Sequence, residues 1–398
     1  MSELFVMETL DWDVFVRDCW DRRPVLVRHV PRPPFQENEV FQAATVAGRS
    51  ERPGVLPPNA QFTVERRQQV VAGDFLPEPD DGSLAGYQKR LAERLGGRRY
   101  ALILHGFHGM AYPQWARERD FYAGLWERVG IPLSGAITTL FHGTYEHSPV
   151  GVHKDRFATF MFGLAGRKRM RFWPSRPWSD PVSTVLDYEP YKAESFAVEI
   201  GPGELLYWPS SFYHVGESAG DEPATSVNVG VPREGHRAAY DLDDLLLSVD
   251  PALLADPGRS FGQYPRSSSP LLGTVDGSLP PAFEQALAYF RDFAADGLAE
   301  RAVDRSLRIR TAGGLRPVPP PDERRALPDT AVVRRTAEIV VAGDLCAANG
   351  HVTRFEAGSE MAQLLANQPV RVGETGPAAR HLLETLESFH AVERDESG

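Results

Sequence analysis

The stretch GVHKDRFATFMFGLAGRKRMRFWP, Gly151 to Pro174, decides how the chain is read. It sets a histidine and an aspartate two residues apart, runs on through apolar positions, turns at GLAG and returns through RKRMRFWP. In a strand, side chains at i and i+2 share a face, so His153 and Asp155 are expected to project together while Lys154 points away. The returning half of the expected hairpin places Lys168, Met170 and Phe172 on one face and Arg167, Arg169 and Arg171 on the other.

The flanks repeat this short-strand grammar. From about 98 to 232 the runs YALILHGFH, AITTLFHG, SFAVEIGPG, ELLYWP and SVNVGVP are broken by Gly and Pro, which argues for an antiparallel sandwich or barrel and a mainly β core. One helix, around PQWARERDFYAGLWERVG, interrupts them. Upstream, Trp12, Phe15, Val16, Cys19 and Trp20 form one apolar face of a helix that Pro24 is expected to end, with a short strand at Val25–Val27.

Downstream of Pro232 the pattern turns helical, with a Phe283, Leu287, Phe290 and Ala294 stripe read as core packing or a dimer surface. After the stiff RPVPPPDERRALP segment, TAVVRRTAEIVV and GHVTRFEAG read as strands and SEMAQLLANQ and AARHLLETLES as helices, a small α+β domain. The expected division is 1–235 for the β domain with its N-terminal helix and strand, 236–316 for a helical region, and 326–398 for the last domain.

Composition narrows the function classes. Hydrophobic content of 42% and charged content of 24% fit a soluble globular protein. No run approaches the roughly 20 apolar residues of a spanning helix, and MSELFVMETLDWDVF lacks a basic-then-apolar leader, so a cytoplasmic protein without membrane contact is expected. Cys19 and Cys346 belong to no CxxC pattern, which excludes a cysteine zinc site and a disulfide framework. The net charge of −11 disfavours direct nucleic-acid binding and is compatible with a basic, Arg-rich partner.

His153 and Asp155 suit two ligands of one metal, and a second histidine would complete a 2-His-1-carboxylate facial triad of the Fe(II) type. His214, expected at the end of a strand in GPGELLYWPSSFYHVGES, supplies it. Of the 11 histidines only His153 has an acid two residues on. Lys168, one of four lysines, joins an apolar row and there needs an anion, unless it is one of several basic residues on a solvated hairpin. His142 and His147 precede the H-x-D motif in what reads as a loop and are either substrate contacts or ordinary loop residues; Trp208 and Tyr213 flank His214 as packing residues.

The H-x-D motif, the lysine fifteen positions after its histidine, and the distal PGELLYWPSSFYH together resemble the JmjC/cupin-type Fe(II) and 2-oxoglutarate-dependent oxygenases. FVRDCWDRRPVLVRH and the order of domains resemble the bacterial ribosomal-oxygenase branch. The resemblance implies a double-stranded β-helix (jelly-roll) core, a helical region that forms a homodimer, and a C-terminal winged-helix domain. It implies that His153, Asp155 and His214 hold Fe(II), that Lys168 pairs with the far carboxylate of 2-oxoglutarate, and that Thr159 and Asn228 contact the cosubstrate.

The implied reaction consumes 2-oxoglutarate and O2, releases succinate and CO2, and hydroxylates a protein or peptide side chain, Arg or His by preference; a retained Asp155 favours hydroxylation over halogenation. Demethylation begins with the same hydroxylation, at an N-methyl group. The acidic DPVSTVLDYEPYKAES segment is positioned to meet a basic partner. The rival readings are a hydroxylase of a small molecule or short biosynthetic peptide, a zinc cupin that has no need of Lys168, and a noncatalytic JmjC-like binding protein.

Overall fold

The structure is a computed structural model; it describes residues 4–49, 56–65, 67–70, 73–144, 150–220, 222–233, 291, 298–356 and 358–395. The Phe283–Ala294 stripe and His147 lie outside them.

Helix α1 (Trp12–Asp18) begins where the Asp11 carboxylate accepts from the amides of Asp13 and Val14. It closes at Asp18, ahead of the expected Pro24 stop, with the Cys19 amide bonded back to Phe15. Phe15 and Cys19 are fully buried, and the chain then enters β2 (Val25–His29), which pairs in parallel with β1 (Phe5–Thr9). Helix α2 (Glu37–Ala47), α3 (Leu84–Leu95) and α4 (Tyr112–Val129) pack with them on one side of a large sheet.

That sheet also contains β3 (Ala60–Val64), β4 (Arg67–Gln68), β5 (Tyr100–His105), β6 (Ala136–Gly143), β7 (Phe157–Ala165), β10 (Leu205–Trp208) and β12 (Ala224–Pro232), in the order β1-β2-β10-β7-β12-β6-β5-β3-β4. A smaller sheet is built from β8 (Lys168–Trp173), β9 (Phe196–Ile200) and β11 (Tyr213–Ser218), in the order β11-β8-β9.

This arrangement corrects the expected hairpin: β7 pairs with β10 and β12, whereas β8 pairs with β9 and β11. The chain crosses between sheets at Gly166, whose φ of 65° is open to glycine and where an added Cβ would lie 2.3 Å from the Pro223 carbonyl oxygen. Consecutive strands therefore face each other across the barrel. Leu26, Met161, Met170, Phe172, Ile200, Leu206 and Trp208 fill the space between them.

Helix α5 (Leu298–Thr311) leads back to the large sheet, where β13 (Leu315–Arg316) pairs in parallel with β6. The last segment forms the expected α+β unit. Strands β14 (Val332–Arg335), β18 (Val370–Arg371) and β19 (Val392–Asp395) make one small sheet, and β15 (Val340–Ala342), β16 (Leu345–Ala348) and β17 (His351–Arg354) another. Helices α6 (Ser359–Leu365) and α7 (Pro377–Ser388) pack with them around Val333, Cys346, Leu364 and Leu383. Asn349 ties this unit to the β domain through Tyr112 and Arg119, and His390 stacks on Tyr112 at 3.7 Å. Among the described residues no helix is long and apolar enough to cross a membrane.

Candidate active site

His153 and Asp155 precede β7 rather than lying within it. His153 forms an isolated two-way backbone bridge with His214, their amides donating to each other's carbonyls at 3.1 and 2.8 Å. The chain from His153 to Thr159 still alternates, and His153, Asp155, Phe157 and Thr159 all line one cavity. His214 is the second residue of β11, so it begins a strand instead of ending one, after the Pro209–Phe212 turn.

The bridge brings three donors together. One ligand atom from each of His153, Asp155 and His214 lies within 4.8 Å of the others, the only such His, Cys, Asp or Glu cluster among the described residues. Each imidazole Nε2 is 3.4 Å from an Asp155 oxygen. His153 Nδ1 lies 2.9 Å from the Gly151 carbonyl, which can only accept, so Nδ1 carries the proton and Nε2 presents its lone pair. The longer His214 Nδ1 contact to the Phe212 carbonyl, 3.4 Å, favours the same tautomer.

The electrostatics agree with a cation-binding set. Burial pushes Asp155 up, but its close approach to the imidazoles of His153 and His214 outweighs burial and holds the carboxyl well below the usual range. Burial pushes His153 down, and Asp155 more than restores it. His214, fully enclosed, is pushed below its ordinary value by burial in spite of Asp155. Two imidazole nitrogens and one carboxylate fit a first-row divalent metal, with the remaining positions left for other ligands.

Lys168 stands at the start of β8 with only 6% of its surface exposed and lines the same cavity, of about 310 Å³. Its ammonium donates to Ser226 Oγ at 3.1 Å and lies 4.6 Å from the centroid of Phe141. Ser226 Oγ donates onward to Asn228 Oδ1 at 3.3 Å. Gly216, opposite Met170 in the sheet, leaves room for the lysine: a Cβ there would meet Lys168 Cε at 3.3 Å and Met170 Sδ at 3.4 Å. The expected separation of faces on β8 is realised, since Lys168, Met170 and Phe172 are buried while Arg169 pairs with Glu199 and Arg171 with Glu217 on the other face.

Thr159 and Asn228 both line the cavity, Thr159 on β7 opposite Trp208 and Asn228 on β12 opposite Thr139. His142 does not. It is fully buried on β6, bonded to Tyr100 Oη at 2.9 Å and Thr225 Oγ1 at 2.8 Å, and burial lowers its pKa to about 4. It is a core residue, not a loop substrate contact.

Sequence reading missed part of the wall. Ile137, Thr139 and Phe141 face the cavity from β6, and Gly230 joins the expected Asn228 from β12, in strict alternation; the polar Ser226 two residues before Asn228 was the available signal for the partner of Lys168. His105 and Gln61 enter from β5 and β3, with His105 Nδ1 bonded to Thr139 Oγ1 at 3.0 Å. No local signal marks those two.

No family model and no curated protein matches the chain. Among solved structures, the X-ray structure of Escherichia coli ycfD is similar, with 18% identity, a TM-score of 0.50, and coverage of 98% of this chain and 99% of that one. A structure of YcfD described as a ribosomal oxygenase from E. coli matches at 18% identity with a TM-score of 0.48, and one of YcfD with cobalt and 2-oxoglutarate at 17% with a TM-score of 0.49, both over the same shares of the two chains. At this identity the likeness is one of fold: the chain shares a JmjC-type β core with ycfD.

Proposed function

We propose that the chain is an Fe(II)- and 2-oxoglutarate-dependent oxygenase that hydroxylates a protein or peptide side chain, Arg or His by preference, with release of succinate and CO2. The observation that carries this reading is the meeting of His153, Asp155, His214 and Lys168 in one cavity. A zinc cupin or a binding module has no use for the lysine.

In this reading His153, Asp155 and His214 hold the iron, which when bound supplies O2 activation coupled to decarboxylation of the 2-oxo acid. The Gly151 carbonyl fixes the His153 tautomer. Lys168, backed by Ser226, anchors the far carboxylate and so sets which end of the cosubstrate faces the triad. Thr159 and Asn228 complete its contacts, and the apolar Ile103, Phe157 and Met170 limit water.

The protein-substrate reading rests on the resemblance to the ribosomal-oxygenase branch and on charge. The β8–β9 loop carries the exposed acids Asp180, Asp187 and Glu189, and backbone bonds between Val185 and Val152 hold it against the segment bearing His153. A basic partner suits that rim. Residues 1–235 then act as the catalytic domain, 236–316, most of which lies outside the described residues, as the dimerising region, and 326–398 as a winged-helix-like domain, in a cytoplasmic enzyme.

The test is anaerobic addition of Fe(II) and 2-oxoglutarate to metal-free protein. A weak visible metal-to-ligand charge-transfer band is expected, and its absence with iron bound refutes the cosubstrate reading.

A further inference from the structure

Three neighbouring strands of the large sheet set polar side chains in one register: Asn228 on β12 stands opposite Thr139 on β6, and Thr139 opposite His105 on β5. All three line the cavity, and His105 shares its face of β5 with Ala101 and Ile103, which line it too. The triad, Lys168 and Ser226 come from the segment before β7 and from β8, β11 and β12, whereas β5 lies two strands beyond β12, about 10 Å away. Gln61 on β3, exposed and opposite Ile103, marks where this arm of the cavity opens to solvent. The arm is left for a ligand other than the one Lys168 holds.

His105 has a nitrogen to spare in that arm. Its Nδ1 is taken by Thr139 Oγ1 at 3.0 Å. Among the described residues Nε2 has no partner, and it is not enclosed, in contrast to both ring nitrogens of His108. Burial lowers the His105 pKa, so at neutral pH the ring is uncharged and does not repel a cation. The Thr139 hydroxyl can accept from Nδ1–H as readily as donate to Nδ1, so an incoming N–H selects the tautomer with the lone pair at Nε2. We infer that His105 is a specificity-determining residue whose Nε2 accepts a hydrogen bond from an N–H of the basic side chain presented to the iron. This rests on the function proposed above and gives its protein substrate a contact.

The experiment uses full-length protein labelled with ring-15N histidine and loaded with diamagnetic Zn(II) and 2-oxoglutarate. Among the 11 histidines, His105 is identified by the signals lost in His105→Asn. The probes are the N-acetyl N-methylamides of arginine, histidine and norleucine. The arginine or the histidine probe is expected to move the Nε2 signal toward the value of an unprotonated nitrogen, and the norleucine probe to leave it in place. His105→Asn keeps an amide for Thr139 but lacks the outer nitrogen, and should bind the effective probe about three- to tenfold more weakly with 2-oxoglutarate affinity kept. His105→Gln, whose longer amide reaches the Nε2 position, should recover most of that loss.

An Nε2 signal unmoved by both basic probes, or moved equally by norleucine, overturns the inference. So does weakened 2-oxoglutarate binding in His105→Asn, which would make the residue a cosubstrate contact. Calorimetry on Zn(II)-loaded wild type separates the two failures: 2-oxoglutarate bound with no probe at His105 overturns this inference alone, and 2-oxoglutarate unbound overturns the cosubstrate reading with it.

Discussion

Replacing Lys168 by methionine keeps most of the stem that packs beside Met170 and Gly216 and removes the ammonium with its contacts to Ser226 and Phe141. The ammonium is almost fully enclosed, donates to a neutral hydroxyl 3.1 Å away and lies over Phe141. A carboxylate bound there gains a charge-assisted hydrogen bond worth about 1.5–3 kcal/mol, roughly ten- to 150-fold in affinity. Anaerobic calorimetry on Mn(II)-loaded protein should show Lys168→Met weakening 2-oxoglutarate binding at least tenfold while Mn(II) affinity is unchanged. Wild type should bind 2-oxobutanoate, which lacks the far carboxylate, about as weakly as the variant binds 2-oxoglutarate. Equal 2-oxoglutarate affinity in the two proteins, or a large loss of stability in the variant, would refute an anchoring role and make Lys168 a structural residue.

Asp155→Ala or His214→Ala should reduce Mn(II) affinity by more than about a hundredfold in a metal titration, since even outer-shell partners cost about ten- to a hundredfold. Glu118, wholly buried on α4 beside the hydroxyl of Thr138, is pushed by burial to about 8. Between its ordinary unfolded value and 8 the folded chain keeps a proton that the unfolded chain has released, so stability falls as pH rises through that window, by up to about 1.4 kcal/mol per unit. Glu118→Gln should flatten this slope in thermal melts and exceed wild type most above pH 8; parallel curves would contradict it. Glu217, 6% exposed between Arg171 and the Tyr188 hydroxyl, each at 2.8 Å, clamps the β8–β9 loop to the small sheet. Glu217→Ala should cost about 3 kcal/mol in denaturant unfolding, because it leaves the mostly buried Arg171 without its partner.

Much of the site was legible because its information is local. Alternation alone puts His153, Asp155 and Thr159 on one face and sets Lys168 apart from the three arginines, and the structure keeps both patterns although the H-x-D motif sits just ahead of its strand. The helix at Trp12 and the elements after Val332 follow equally local rules of periodicity and capping.

Pairing is not local, and there the sequence left the answer open. A glycine turn between two β runs serves a hairpin or a crossing between sheets equally well. The choice fell to β9, β10, β11 and β12, distant segments that take the hydrogen-bonding edges of β7 and β8. That crossing brings Lys168 into the barrel beside Ser226 and Asn228, which no spacing in the sequence links to it. The same long-range pairing turns His142 into the core and recruits His105 and Gln61 to the cavity wall. The sequence by itself determined which side chains share a face; the tertiary structure decided which faces meet, because strand edges are satisfied by whichever partner buries the apolar side best.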